Sequence, residues 1–291
     1  MNLDQPLPNL IQKRISSRQY TGEPIGQTQQ QALRETLHAL TRGPLGSPVR
    51  LDLIAATQQD RDSLRGLGTY GMIQSPPAFI IGAVQSGEKD LEDYGYLMEQ
   101  AVLKATDLNL DTCWLGGSFG YSGFAQKVGL QANEILPAVT AVGTAVEKPS
   151  IIYNLMRSMV NAKKRFSWER IFFEQDFQHP LTAEMAGAYA DVLEMVRLAP
   201  SASNKQPWRI LRAGRQWHFV VQRDAQYARP NWVMSKMVRT DIQRLDMGIA
   251  MCHFEMTARL RGLSGSWKVI PQTDLTLPDA VSSYVVSWVE A

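Results

Sequence analysis

Apolar and polar positions along this 291-residue chain sort into strands and long helices. Residues 28–41 carry apolar side chains at helical spacing, and a Gly/Pro loop, RGPLGSP (42–48), stops them. RLDLIAA (50–56) alternates and predicts a strand with one face buried. QDRDSLRG is polar and reads as helical up to GLGTYG (66–71), and AFIIGAV (78–84) is an uninterrupted apolar run of strand length. A long helix is expected from Asp93 to Leu110, then turn residues and CWLGG. LPAVTAVGTAVEKP (136–149) reads as a strand with its exit loop. After a basic stretch, KKRFSWER (163–170), the order starts again. A helix at 182–198 leads into a polar loop, strands follow at RILRA and WHFVVQR, a second long helix spans 241–261, and the last strand is YVVSWVE (284–290).

The restart can be tested residue by residue. Ungapped, 93–114 over 246–267 gives six identities in twenty-two positions: Asp93/Asp246, Gly95/Gly248, Met98/Met251, Ala105/Ala258, Leu110/Leu263 and Trp114/Trp267. Two amphipathic helices sharing core residues would explain the window alone. The repeated order of elements favours an internal duplication. The expected boundaries are 1–160 for the first half and 161–291 for the second, packed as one unit. A fused pair mimics a two-fold dimer and can keep one composite site while the other decays.

Composition removes several classes of function. With 44% hydrophobic and 20% charged residues the chain is an ordinary globular sequence, and a net charge of +2 gives no reason to expect nucleic acid or a membrane surface. No apolar run approaches the ~20 residues of a membrane span. The N-terminal MNLDQPLPNL has neither the basic nor the apolar segment of a signal peptide. Cys113 and Cys252 have no metal-type spacing, and His38, His179, His218 and His253 are scattered, so no metal site is expected. The expectation is a cytoplasmic protein without disulfides.

Four stretches carry candidate chemistry. Arg14-x-Ser16-x-Arg18 in extended backbone puts two guanidiniums and a hydroxyl on one face, which suits a phosphate; a solvated basic patch is the alternative. APSASNKQPWR (199–209) packs hydroxyls and amides between Pro200 and Pro207, suited to the edge of a heteroaromatic ring; a capped helix-to-strand loop is the alternative. Trp114-Leu115-Gly116-Gly117 allows close backbone approach to a ligand, or simply stops a helix. GLGTYG matches GxGxxG in form only, because a polar stretch precedes it where a strand is needed and no helix follows. Lys163-Lys164-Arg165 is a solvated cluster or closes over the same phosphate as Arg14.

Together RISSR, LEDYGYLMEQAVLKATDLNLDTCWLGG, ILPAVTAVGTAVEKP, KKRFSWERIFF and APSASNKQPWR resemble the FMN-dependent nitroreductase family over nearly the whole chain. More closely, the chain resembles its single-chain, pseudo-dimeric "putative TM nitroreductase" subgroup. The resemblance implies an α+β, three-layer fold with mixed sheets, in which two homologous halves mimic a dimer. It implies that Arg14, Ser16 and Arg18 hold the FMN phosphate and reach the N1/O2 edge of the ring, with Arg165 also on the phosphate. Ser201, Ala202, Ser203, Asn204 and Gln206 correspond to the loop that a partner subunit contributes, and Leu115, Gly116 and Gly117 to the segment beside N5 and O4. The degenerate loop at 42–48 and SGSWKV in place of DTCWLGG imply a single flavin. The implied activity is ping-pong hydride transfer from NADH or NADPH through flavin N5 to a small oxidant such as a nitroaromatic or a quinone. Gly117 and Arg18 are then supporting groups, and no side chain is an acid or base. A monomeric pseudo-dimer is expected, and a non-catalytic flavin-binding or sensing protein is the alternative role.

Overall fold

The computed structural model describes residues 2–56, 62–150, 153, 164–224, 239–271 and 275–291. Among these, the helices are α1 (Leu7–Lys13), α2 (Gln27–Ala39), α3 (Asp90–Asp107), α4 (Tyr121–Val128), α5 (Trp168–Ile171), α6 (Ala183–Ala186), α7 (Ala190–Leu198) and α8 (Ile242–Leu260). The strands are β1 (Val49–Ala55), β2 (Ala78–Gln85), β3 (Asp111–Leu115), β4 (Glu134–Ile135) and β5 (Val139–Gly143), then β6 (Phe172–Glu174), β7 (Trp208–Ala213), β8 (Gln216–Gln222), β9 (Gly265–Lys268) and β10 (Ser282–Glu290).

The strands form two sheets. The first runs β1-β2-β5-β3, with β4 also on β2; the second runs β6-β7-β8-β10-β9. Matching elements by chain order, β1, β2, α3, β3 and β5 correspond to β7, β8, α8, β9 and β10. The order across the sheet, first-second-fourth-third, is then the same in both, and every one of these pairings is antiparallel. The second sheet adds the short β6 parallel to β7.

β2 shows why the longest apolar run is a strand: it is buried on both faces. α3 covers one side. On the other, the Phe79 ring packs edge-on against Phe124 of α4, with centroids 5.0 Å apart. That second face has its own apolar cluster, separate from the main core that runs through both sheets and α3, α7 and α8.

α3 and α8 lie against each other at the centre, and almost all of both is buried. Small residues allow the approach. A Cβ at Gly95 would overlap the Leu245 carbonyl, and one at Gly248 would overlap Glu92 O. Under the 93/246 alignment these contacts are each other's image, as across a two-fold axis. Buried acids on α3 are matched from the other half: Arg244 grips Glu92 with Nε–Oε1 of 2.9 Å and Nη2–Oε2 of 2.6 Å.

Two expected helices differ, and CWL of CWLGG, read as a turn or helix stop, belongs to the strand β3. The helix predicted over 182–198 is broken: α6 and α7 are separated at Gly187, whose φ of +56° is a left-handed conformation that glycine adopts without a Cβ penalty. Of the helix expected over QDRDSLRG, residues up to 61 lie outside the described residues, and 62–64 form one 3-10 turn. GLGTYG then runs as a loop packed under α4, where Gly120 N donates to Gly68 O at 2.7 Å.

Candidate active site at the junction of the halves

α1 ends at Lys13 because Arg14 turns extended, at φ −59° and ψ 120°. The chain then lies along the free edge of β3, where Ser16 bridges Thr112 in parallel and Ser17 N donates to Thr112 O at 2.9 Å. Extended backbone alternates its side chains. Ser17 turns away and reaches Asp111 Oδ1 at 3.3 Å. Arg14, Ser16 and Arg18 instead face a cavity of about 470 Å³.

The opposite wall comes from the second half: Arg165, and Pro200 to Asn204 on the loop after α7. That loop is held in a costly conformation. Ser203, Asn204 and Gln206 have φ of +47°, +56° and +48°, where non-glycine residues are sparse. Gln206, 1% exposed, ties it down: its Oε1 accepts from Phe166 N at 2.8 Å, its Nε2 donates to Asn204 O at 3.2 Å, and its own N donates to Ser201 Oγ at 2.8 Å. Asn204 Nδ2 donates to Lys164 O at 2.8 Å, and its Oδ1 accepts from Arg165 Nη1 at 3.1 Å. Strain maintained by so many bonds is pre-organisation, the usual mark of a binding loop.

α8 supplies the floor through Ile242, Leu245, Asp246 and Ile249, at the i, i+3, i+4, i+7 spacing of one helix face. Asp246 Oδ1 accepts from Ala202 N at 2.9 Å and so anchors the loop, while its Oδ2 is buried with no partner. The equivalent Asp93 has both oxygens engaged, by Leu45 N and Ser47 N, each at 2.7 Å. A Cβ at Gly43 would overlap the Asp93 side chain, so the 42–48 loop sits directly on its aspartate.

Thus Arg14, Ser16, Arg18, Gly116, Arg165, Ser201, Ala202, Ser203 and Asn204 meet around one cavity. Three expected residues do not wall it. Leu115 is buried in the second apolar cluster, Gly117 lies just beyond β3, and Gln206 faces its own loop. Lys163 lies outside the described residues. Trp114, ahead of the glycine pair, lines the cavity too. Cys113 of β3 and Ile242, Leu245, Asp246 and Ile249 of α8 line it without having been singled out for it. For the α8 residues the signal was the helix-face spacing and the Asp93/Asp246 match.

The electrostatics favour an anion. Burial pushes the Arg14 pKa down, against the pull of Glu99 and Cys113. Burial, then Arg14 and Arg197, push Arg165 down to about 10. Arg14 Nε and Arg18 Nη1 are buried without partners. Burial, against the Ala202 hydrogen bond, pushes the Asp246 carboxyl well up, toward its neutral form. A site that carries buried, unsatisfied guanidinium nitrogens fits a phosphate-bearing ligand.

The sequence profile of the family described as "Putative TM nitroreductase" matches residues 7–258 of this chain. The chain belongs to this family. Among solved structures, it is similar to "a putative nitroreductase" from Thermotoga maritima MSB8, at 17% identity over 99% of this chain and 95% of that one, with a TM-score of 0.59. That likeness shows a nitroreductase-like fold. A nitroreductase with bound FMN from Bacteroides fragilis matches 50% of this chain and 92% of its own length, at 17% identity and a TM-score of 0.38. A second, from Desulfitobacterium hafniense with bound FMN, matches 49% and 91%, at 17% identity and a TM-score of 0.38. Comparison with curated proteins gave no match. Among the described residues, no helix is long and apolar enough to cross a membrane.

Proposed function

We propose that this nitroreductase-family chain is an FMN-dependent oxidoreductase with one FMN per chain, bound in the cavity between its halves. The observation that carries the proposal is convergence. An Arg-Ser-Arg edge from the first half and an arginine with a strained amide-rich loop from the second face one cavity, with guanidinium nitrogens still unsatisfied. We further infer that the halves, 1–160 and 161–291, descend from a duplication whose second site has decayed, because the 42–48 loop is closed down on Asp93.

Bound FMN would supply the redox chemistry, taking an electron pair from NADH or NADPH and passing it to a small oxidant such as a nitroaromatic or a quinone. Arg14, Ser16 and Arg165 are suited to its phosphate and Arg18 to a negative charge on the ring. Ser201, Ala202, Ser203 and Asn204 present hydroxyl, amide and backbone groups to the ring's polar edge, and Gln206 holds their loop. Gly116 admits close approach, and Leu115 packs behind it. Ile242, Leu245 and Ile249 offer an apolar floor that excludes water.

The test is an anaerobic absorbance spectrum of the FMN-loaded protein with NADH or NADPH. Bleaching of a tightly bound flavin supports the oxidoreductase. A bound flavin that stays oxidised points to a sensing role. An Arg14→Ala/Arg165→Ala double variant that binds FMN normally refutes the phosphate assignment.

A further inference from the structure

A second polar constellation lies beside the cavity. Glu99 of α3 and His253 of α8 are fully buried, with His253 Nε2 3.0 Å from Glu99 Oε1. His253 Nδ1 is 2.9 Å from Met195 O, and Trp114 Nε1 donates to Glu99 Oε2 at 2.9 Å. Trp114 is itself a wall residue of the cavity.

These partners fix a proton count. A carbonyl only accepts, so Nδ1 carries a proton. An indole N–H only donates, so Oε2 is an acceptor. Nε2 and Oε1 therefore need one proton between them, since two facing lone pairs or two facing protons would leave both groups buried and unsatisfied. With one shared proton the pair has no net charge, whether it is imidazole with carboxylic acid or imidazolium with carboxylate.

We propose that Glu99 and His253 are a positioning pair sharing a single proton, which fixes Trp114 in the cavity wall and, being neutral overall, leaves the Arg14 guanidinium uncompensated for an anionic ligand. The proposal rests on the reading of the cavity as the site of a phosphate-bearing ligand. Arg14 lines the same cavity as Trp114, is buried, and keeps an unpartnered Nε. Cys252 of α8 also feels Glu99, and burial pushes its thiol pKa up. A neutral pair gives Arg14 a dipole and no counter-ion, and the ligand's phosphate completes the balance.

Glu99→Gln separates the possibilities. Its amide donates to His253 Nε2 and its carbonyl accepts from Trp114, so all three hydrogen bonds and the zero net charge survive. FMN and inorganic phosphate are titrated against wild type and variant, with tryptophan emission and thermal midpoint followed in parallel. The expected result is affinity for both anions within about threefold of wild type, because no net charge changes, with emission and midpoint unchanged. Tightening of both anions by on the order of tenfold would overturn the proposal, since it would mean that a real negative charge had been removed. His253→Gln removes the base that shares the proton and offers Glu99 Oε1 an amide N–H, the partner a carboxylate accepts. Both anions should weaken by on the order of tenfold, and Glu99→Gln in the same chain should restore them.

If His253→Gln does not fold, nitrogen-15 spectra of the wild-type imidazole, with the carbon-13 shift of the Glu99 carboxyl, decide the count. The expected spectra put one proton on Nδ1 and one more on either Nε2 or the Glu99 carboxyl; an unprotonated Nδ1, or no proton on either facing atom, overturns the proposal. Wild type that binds neither FMN nor phosphate would end the cavity reading, while the imidazole and carboxyl spectra still test the shared proton.

Discussion

Replacing Arg14 with Met should make the ligand-free protein more stable and its FMN complex weaker. Arg14 is 8% exposed and its Nε has no partner. An unsatisfied buried donor costs roughly 1–3 kcal/mol, and an apolar side chain of similar length removes that cost. The thermal midpoint of the ligand-free variant should therefore rise by a few degrees. The same change deletes a charge-assisted hydrogen bond to phosphate, worth about 1.5–3 kcal/mol, so FMN should bind about 10- to 150-fold more weakly. Saturating FMN should then invert the order of stabilities, because mass action favours the form that binds more tightly. Urea denaturation without ligand and flavin-fluorescence titration give the two numbers. A ligand-free variant less stable than wild type, with unchanged FMN affinity, would show that Arg14 serves the fold and not the ligand.

Three further outcomes follow from the same geometry. Gln206→Ala strips the bonds that hold the left-handed loop, and should cost about 1–3 kcal/mol in urea denaturation while also weakening FMN binding. Burial raises the Asp246 pKa above its unfolded value of 3.8, so its protonated form stabilises the fold at low pH and that contribution fades as pH rises. Asp246→Asn should accordingly gain on wild type in thermal scans taken from about pH 4 upward; a pH-independent difference would refute this. Gly248→Ala puts a Cβ into Glu92 O and 2.7 Å from Tyr96 N. It should destabilise by about 1–3 kcal/mol in chemical denaturation, although alanine is the better helix former by about 1 kcal/mol.

Much of this architecture was legible in one dimension, and for identifiable reasons. The β2 run and the two central helices are long and strongly patterned, and burial on both sides preserves such patterns. The 93/246 alignment makes Gly95 and Gly248 equivalent positions, and their reciprocal contacts match it. The alternation of Arg14, Ser16 and Arg18 needed only extended backbone, which the edge of β3 provides. The break at Gly187 was hidden because apolar spacing continues across it. The α8 floor was missed for a different reason. A Leu or Ile at helical spacing reads as core, and only the tertiary arrangement shows that one face of α8 opens onto a cavity. Gln206 illustrates the limit of loop chemistry: its amide suited a ring edge, but the loop's own unsatisfied groups use it first.

The most direct test is an equilibrium titration of the purified chain with FMN, followed by flavin absorbance and fluorescence. One cavity built from both halves predicts saturation at one FMN per chain, lost in the Arg14→Ala/Arg165→Ala variant. Two equivalents, or one that survives the double substitution, would contradict a single composite site, and no binding at all would mean that the cavity serves another ligand.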